Sequence, residues 1–130
     1  MSAADLLILA RQAAGNAYAP YSNFAVGCAL ETLSGTIGMG CNVENASYGL
    51  TICAERSAIF QAIAEEGAAM KIARLAVVCL GQEFPPCGAC RQVIAEFSLP
   101  GGATEVTFMG GTGAPITHTI VELLPEAFRL

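Results

Sequence analysis

Charge is what this chain has least of. Only 13% of its 130 residues are Asp, Glu, Lys or Arg, against roughly 25% in ordinary globular proteins. So few charges leave apolar surface uncovered on a small monomer, which points to subunits covering one another in a closed homo-oligomer. Basic residues are sparser still: Arg11, Arg56, Lys71, Arg74, Arg91 and Arg129 stand singly against eleven acids, for a net charge of −5. Nucleic-acid binding needs clustered cations to displace counterions from phosphates, so no nucleic-acid partner is expected and a small, uncharged substrate fits better. Also missing is the apolar run of about 20 residues that a spanning helix requires. That excludes a membrane partner of this kind despite 54% hydrophobic residues and a mean hydropathy of +0.54. The start, Met1-Ser2-Ala3-Ala4-Asp5, lacks the basic segment and cleavage site of a secretory signal, leaving a cytoplasmic location as the expectation. Low charge does not mean disorder here, because disordered chains are also poor in apolar residues.

What is present suits one domain, expected to span residues 1–130. Residues 3–18 carry Leu6, Leu9, Ala10, Ala13, Ala14 and Ala17 at helical spacing, with Asp5 in the first turn where the helix dipole favours an acid. Phe24–Thr32 and Thr36–Asn42 lean towards strand and are joined by Leu33-Ser34-Gly35, a hairpin signal. Asn42–Thr51 reads as a polar loop. Cys53–Ala64 is predicted helical, ending near Gly67. The apolar run Ile72–Leu80 predicts a strand covered on both faces. A turn-rich loop, a second compact helix over Gly88–Phe97, a short strand over Glu105–Met109 and a helical turn over Ile120–Leu124 complete the chain. This order implies one mixed sheet with helices packed on both faces.

The chemistry concentrates in cysteines. Six of them (Cys28, Cys41, Cys53, Cys79, Cys87, Cys90) in a chain with no secretory signal favour metal or redox chemistry over a disulfide framework. In Pro85-Pro86-Cys87-Gly88-Ala89-Cys90, two thiols enter a helix after a rigid turn and can face one ion. A helix N-terminus also eases their ionisation to the metal-binding thiolate. The pair alone is equally compatible with a redox couple or with half of a structural zinc site. Zinc wants three or four ligands, and the single histidine, His118, has no second ligand near it in sequence and reads as a surface or hydrogen-bonded residue. Cys28 and Cys79 sit in apolar strands and read as core. Cys53, which opens a helix, is the best third ligand; Cys41, which closes a strand, is harder to exclude. Three thiolates with no evident fourth ligand describe a catalytic zinc with a position left for water. A structural zinc module would need a fourth protein ligand, and Cys41 is the one plausible choice. Glu55, two residues past Cys53, is placed to take a proton from the water and deliver it elsewhere. Zinc with three thiolates is net negative, and Arg56 is expected to hydrogen-bond ligand sulfur and restore electrophilicity.

Cys53-Ala54-Glu55 followed by Pro86-Cys87-Gly88-Ala89-Cys90 resembles the zinc deaminase signature, in which a non-ligand Glu follows the first ligand. Phe24-Ala25-Val26-Gly27, Asn42-Val43-Glu44-Asn45, Tyr48, Cys53-Ala54-Glu55-Arg56 and Leu123-Leu124-Pro125-Glu126-Ala127-Phe128 narrow this to similarity with small homotetrameric cytidine deaminases. The resemblance implies an α/β fold: a three-layer α-β-α sandwich with a mixed, about five-stranded sheet. It also implies one Zn²⁺ per subunit on Cys53, Cys87 and Cys90, and Glu55 as proton shuttle. Cytidine and 2′-deoxycytidine would be hydrolysed to uridine and 2′-deoxyuridine, with release of ammonia. Asn42 and Glu44 would hydrogen-bond the ribose 3′-hydroxyl, a role suited to an amide and a carboxylate. Phe24 would lie by the pyrimidine, although a strand Phe is more often core, and Ala54 would border the substrate. Phe128 would reach a neighbouring subunit's site and Tyr48 would lie at the shared interface, within a homotetramer whose active sites are shared. Asn45 is expected only to fix its loop. A deaminase of another cytosine-containing small molecule, such as a nucleoside antibiotic, is the alternative within the same fold.

Overall fold

The computed structural model describes residues 1–130. Helix α1 (Ala3–Ala14) begins at a reciprocal cap: Ser2 Oγ accepts from the Asp5 amide at 3.1 Å, and the Asp5 carboxylate accepts from the Ser2 amide at 3.0 Å. Such a box satisfies amides that the first helical turn leaves unpaired. The helix stops short of residue 18. Tyr18 instead donates its amide to the Asn42 carbonyl at 3.0 Å and bridges to Val43, so strand-like pairing overrides the helical periodicity. Strands β1 (Val26–Thr32) and β2 (Ile37–Cys41) form the expected antiparallel hairpin. After α2 (Ala54–Glu66) come β3 (Ile72–Cys79), α3 (Gly88–Glu96), β4 (Glu105–Met109), β5 (Pro115–Thr119) and α4 (Ile120–Leu123).

The sheet runs β2-β1-β3-β4-β5, with only β3 and β4 neighbouring in parallel. It is mixed, as expected. Alternation along the strands sorts side chains to two faces. On one face α1 packs Leu6, Leu7 and Ala10 against Ala29, Ala76 and Val78. On the other, Ala58, Ile59 and Ala62 of α2, Ile94 of α3 and Ile120 of α4 close over Cys28, Leu30, Leu75, Val77 and Val106. The result is a three-layer sandwich. The strand β5 carries no apolar alternation: Pro115, Ile116 and Thr117 are exposed on an edge that buries almost nothing, so no hydrophobic pattern announces it.

Because β1 is antiparallel to both β2 and β3, those two strands run the same way, and the helices that follow them begin at the same end of the sheet. The N-termini of α2 and α3 are brought together by topology alone. Gly40 lets α2 lie close on β2. A Cβ there would stand 2.5 Å from the Ala58 nitrogen, 2.8 Å from Ser57 Cβ and 2.9 Å from the Ala54 carbonyl oxygen. Gly40→Ala must therefore push the helix off the sheet. Overpacking of this kind costs about 1–3 kcal/mol, and denaturant unfolding is expected to show it together with a loss of activity, since the displaced turn carries Cys53 and Glu55. Wild-type stability in Gly40→Ala would contradict this account.

Candidate metal centre and substrate groove

Cys53 is the N-cap of α2 and Cys87 the N-cap of α3; Cys90 lies one turn into α3. Their three Sγ atoms all lie within 4.8 Å of one another, and this is the only such cluster in the chain. Cys87 is exposed and its Sγ accepts from the Cys90 amide at 3.5 Å, whereas Cys90 is fully buried. Cys41 and His118 stand outside the cluster. His118 lies on β5, 3.9 Å from the Glu122 carboxylate and stacked on Phe108, the surface role its isolation predicts. Cys28 and Cys79 are buried in the main core, where burial pushes both thiols up and away from thiolate character.

Electrostatics single out Cys53. A hydrogen bond from the Cys90 thiol, joined by Arg56, pulls the Cys53 thiol down to about 5, while the same bond and burial drive Cys90 far up. The Arg56 guanidinium donates from Nη2 to Cys53 Sγ at 3.2 Å, so the expected contact between Arg56 and a cluster sulfur is present. Two helix N-termini add partial positive charge at the same point. Beside this cluster, Glu55 is 1% exposed and neither carboxylate oxygen has a hydrogen-bond partner. Burial pushes its carboxyl up to about 7. An ionisable group kept dry and unpaired is costly to a fold unless something else uses it.

The segment after β2 runs beside the one that enters α2, because Val43 and Ile52 exchange amide hydrogen bonds at 3.0 Å. That pairing ties Asn42 and Glu44 to the cluster's flank. Asn42 is buried; its Oδ1 accepts from the Val26 amide at 2.9 Å and its Nδ2 donates to the Phe24 carbonyl at 2.8 Å. An amide nitrogen has two hydrogens, so one stays free for a ligand. Glu44 Oε1 accepts from the Tyr21 and Ser22 amides at 2.9 and 3.1 Å, and these bonds, led by the Ser22 hydroxyl, hold its carboxyl below the usual range. An open groove of about 350 Å³ is lined by Tyr21, Ser22, Glu44, Asn45, Tyr48 and Thr51. Asn45 fixes its loop: its Oδ1 accepts from the Ser47 amide at 2.9 Å and its own amide donates to Thr51 Oγ1 at 3.3 Å. A larger hollow of about 510 Å³, near Arg11 and Gly111, contains none of the cluster residues.

Phe24 precedes β1 and is exposed, so it is not a core strand residue. Tyr48 is exposed and meets Tyr21 edge-on, with ring centroids 6.1 Å apart. Ala54 is fully buried in the main core under the first turn of α2. Phe128 is 70% exposed. It is not brought to the groove within one chain; Gln92 Nε2 donates to its carbonyl at 3.0 Å, holding the tail against α3. Arg91 binds the Pro86 and Leu123 carbonyls at 2.7 and 2.9 Å, tying the Cys87 turn to that tail.

Residues 2–105 match the family model for the cytidine and deoxycytidylate deaminase zinc-binding region. The chain belongs to that family. It is 47% identical over 118 residues to the cytidine deaminase of Halalkalibacterium halodurans, covering 90% of this chain and 86% of that protein. It is 45% identical over 130 residues to that of Sporosarcina psychrophila, covering 98% and 92%. The crystal structure of cytidine deaminase from Burkholderia pseudomallei superposes with a TM-score of 0.88 at 45% identity, covering 98% of this chain and all of that one. The α/β class and mixed sheet agree with these deaminase structures.

The cluster fits the zinc of this deaminase family: three sulfur donors converge, the Cys53 thiol is held low by its Cys90 and Arg56 partners, and a buried carboxylate beside them is left without a partner. A fourth protein ligand, which a structural zinc module would require, is not in the cluster. Sequence reasoning missed Ser22, whose hydroxyl donates to Glu44 and accepts from the Phe24 amide at 3.0 Å. The short polar Tyr21-Ser22-Asn23-Phe24 turn was its only signal. Arg91 and Gln92 were visible beside Cys90, but not their hold on the tail.

Proposed function

We propose that this protein hydrolyses cytidine and 2′-deoxycytidine to uridine and 2′-deoxyuridine with release of ammonia, serving pyrimidine salvage. The observation that carries the reading is a cluster of three thiol sulfurs at two helix N-termini beside a buried, unpartnered glutamate. Cys53, Cys87 and Cys90 hold one zinc ion per chain, whose Lewis acidity, when it is bound, makes a water a usable nucleophile at neutral pH. Glu55 accepts the proton that the attacking water gives up and hands it to ring nitrogen 3 as carbon 4 becomes tetrahedral. It then carries a second proton from the new hydroxyl to the amino group, which leaves as ammonia while the carbonyl forms. A carboxyl kept dry and without a hydrogen-bond partner beside the cluster is free to accept and release a proton there.

Glu44 accepts the ribose 3′-hydroxyl and the free Asn42 amide hydrogen donates to it. Phe24 flanks the pyrimidine, and Ala54 borders the site through its place between Cys53 and Glu55. Phe128 comes from a second subunit of a homotetramer with Tyr48 at the shared interface. The exposure of Tyr18, Tyr21, Phe24, Tyr48, Leu50 and Phe128 supports such an assembly. The protein acts as one domain in the cytoplasm, on small nucleosides; no helix is long and apolar enough to cross a membrane.

Purified protein given cytidine is expected to produce the ultraviolet change to uridine, and to stop once a chelator has stripped its metal. Unchanged cytidine with a metal-loaded protein rejects the reading. Glu44→Ala is expected to raise KM for cytidine by about 10- to 100-fold, the range for losing a hydrogen bond to a charged group, with kcat changed far less. A variant that loses only kcat contradicts the sugar-binding role.

A further inference from the structure

We propose that Ser22 is a positioning residue for nucleoside recognition, its single hydroxyl holding the Glu44 carboxylate and the Phe24 backbone in one register. The proposal rests on the roles given above to Glu44 and Phe24. Ser22 Oγ donates to Glu44 Oε2 and accepts from the Phe24 amide at 3.0 Å. A hydroxyl has one hydrogen to give, and here it is committed to the carboxylate. Glu44 Oε1 is meanwhile held by the Tyr21 and Ser22 amides at 2.9 and 3.1 Å. Three donors from one short turn thus stop the carboxylate rotating about its last torsion, which is otherwise broad and weakly restrained.

The same turn fixes Phe24 from both sides. Its amide is bound to Ser22 Oγ, and its carbonyl accepts from Asn42 Nδ2 at 2.8 Å. Asn23 adopts φ of +61° between them, a left-handed conformation that Asn tolerates better than most residues. The sequence-distant Glu44 and Phe24 therefore share one anchor. Removing the hydroxyl leaves the carboxylate held at Oε1 alone, by the two backbone amides, and unpairs the Phe24 amide, without touching the sulfur cluster or Glu55.

The test is Ser22→Ala, with kcat and KM measured on cytidine and on 3′-deoxycytidine, which lacks the hydroxyl that Glu44 reads. KM for cytidine is expected to rise about 10-fold or more, with kcat little changed, and KM for 3′-deoxycytidine to rise several-fold less. The comparison of substrates is made within one preparation, so an inactive fraction does not alter it. Equal losses on both substrates overturn the proposal and leave Ser22 as a loop residue. The double variant Ser22→Ala/Glu44→Ala is expected to lose clearly less than the product of the two single losses, keeping only the part of the Ser22 loss that runs through Phe24, whereas independent sites would multiply their losses; multiplication also overturns it. If the wild type ignores cytidine, the functional reading itself fails. If the wild type handles cytidine and 3′-deoxycytidine alike, the role of Glu44 falls and this proposal with it, while deamination stands.

Discussion

Glu55→Gln is expected to keep its zinc and lose turnover of cytidine by about 10²–10⁴-fold, the usual contribution of a positioned proton shuttle. The substitution is nearly isosteric and the residue is not one of the three clustered sulfur donors, so metal content serves as the internal control. Near-normal turnover with zinc bound would remove Glu55 from the mechanism. The same variant has a second signature in the metal-free protein. Burial holds the Glu55 carboxyl at about 7 instead of its ordinary 4.5, so between these values the native state binds more protons than the unfolded state. Its favourable contribution is complete below about pH 4.5 and disappears as pH rises through about 7. Glutamine never ionises. The metal-free variant should match wild type in acid and become the more stable of the two by about 3 kcal/mol above neutrality, since each tenfold change in proton affinity corresponds to roughly 1.4 kcal/mol. Chemical denaturation at several pH values measures this directly, and a gap that fails to widen with pH contradicts the buried, unpaired carboxylate.

The other large effect lies in the sulfur cluster. Cys87→Ala is expected to purify without stoichiometric zinc. Structural zinc sites bind with apparent free energies of about 10–16 kcal/mol; removing one of three thiolates is expected to take away roughly 4 kcal/mol of this, or about 10³-fold in affinity. Cys87 is the informative position because it is exposed, whereas Cys90 is buried in the core and its loss would confound metal binding with packing. Cys41→Ala provides the contrast, since Cys41 is outside the cluster and should leave zinc content at one per chain. Elemental analysis after dialysis against a mild chelator separates the two. Zinc retained by Cys87→Ala, or lost from Cys41→Ala, would reassign the ligands.

Several features were legible in the linear chain because their causes are local. The Pro-Cys-Gly-Ala-Cys turn places two thiols at a helix start, and Cys53-Ala54-Glu55 does the same for a thiol and an acid, through nothing more than the spacing of one helical turn. The apolar run of β3 declared burial on both faces, and Leu33-Ser34-Gly35 declared a hairpin. Elsewhere local patterns misled. Residues 15–18 continue the helical spacing of α1, yet Tyr18 leaves to pair with Asn42 and Val43. The edge strand β5 had no pattern to offer, because an exposed strand needs no apolar alternation.

By itself, then, the order of residues determined which groups could ionise, bind metal or start a helix, since those properties depend on neighbours a few positions away. The meeting of Cys53 with Cys87 and Cys90 was decided by sheet topology: β2 and β3 run in the same direction on either side of β1, so their following helices begin at one edge. The drying of Glu55, the approach of α2 allowed by Gly40 and the anchoring of Glu44 by Ser22 were likewise decided in three dimensions. Each depends on segments that are far apart in the chain, and only the packed sheet and its register hold them close enough to desolvate or hydrogen-bond one another.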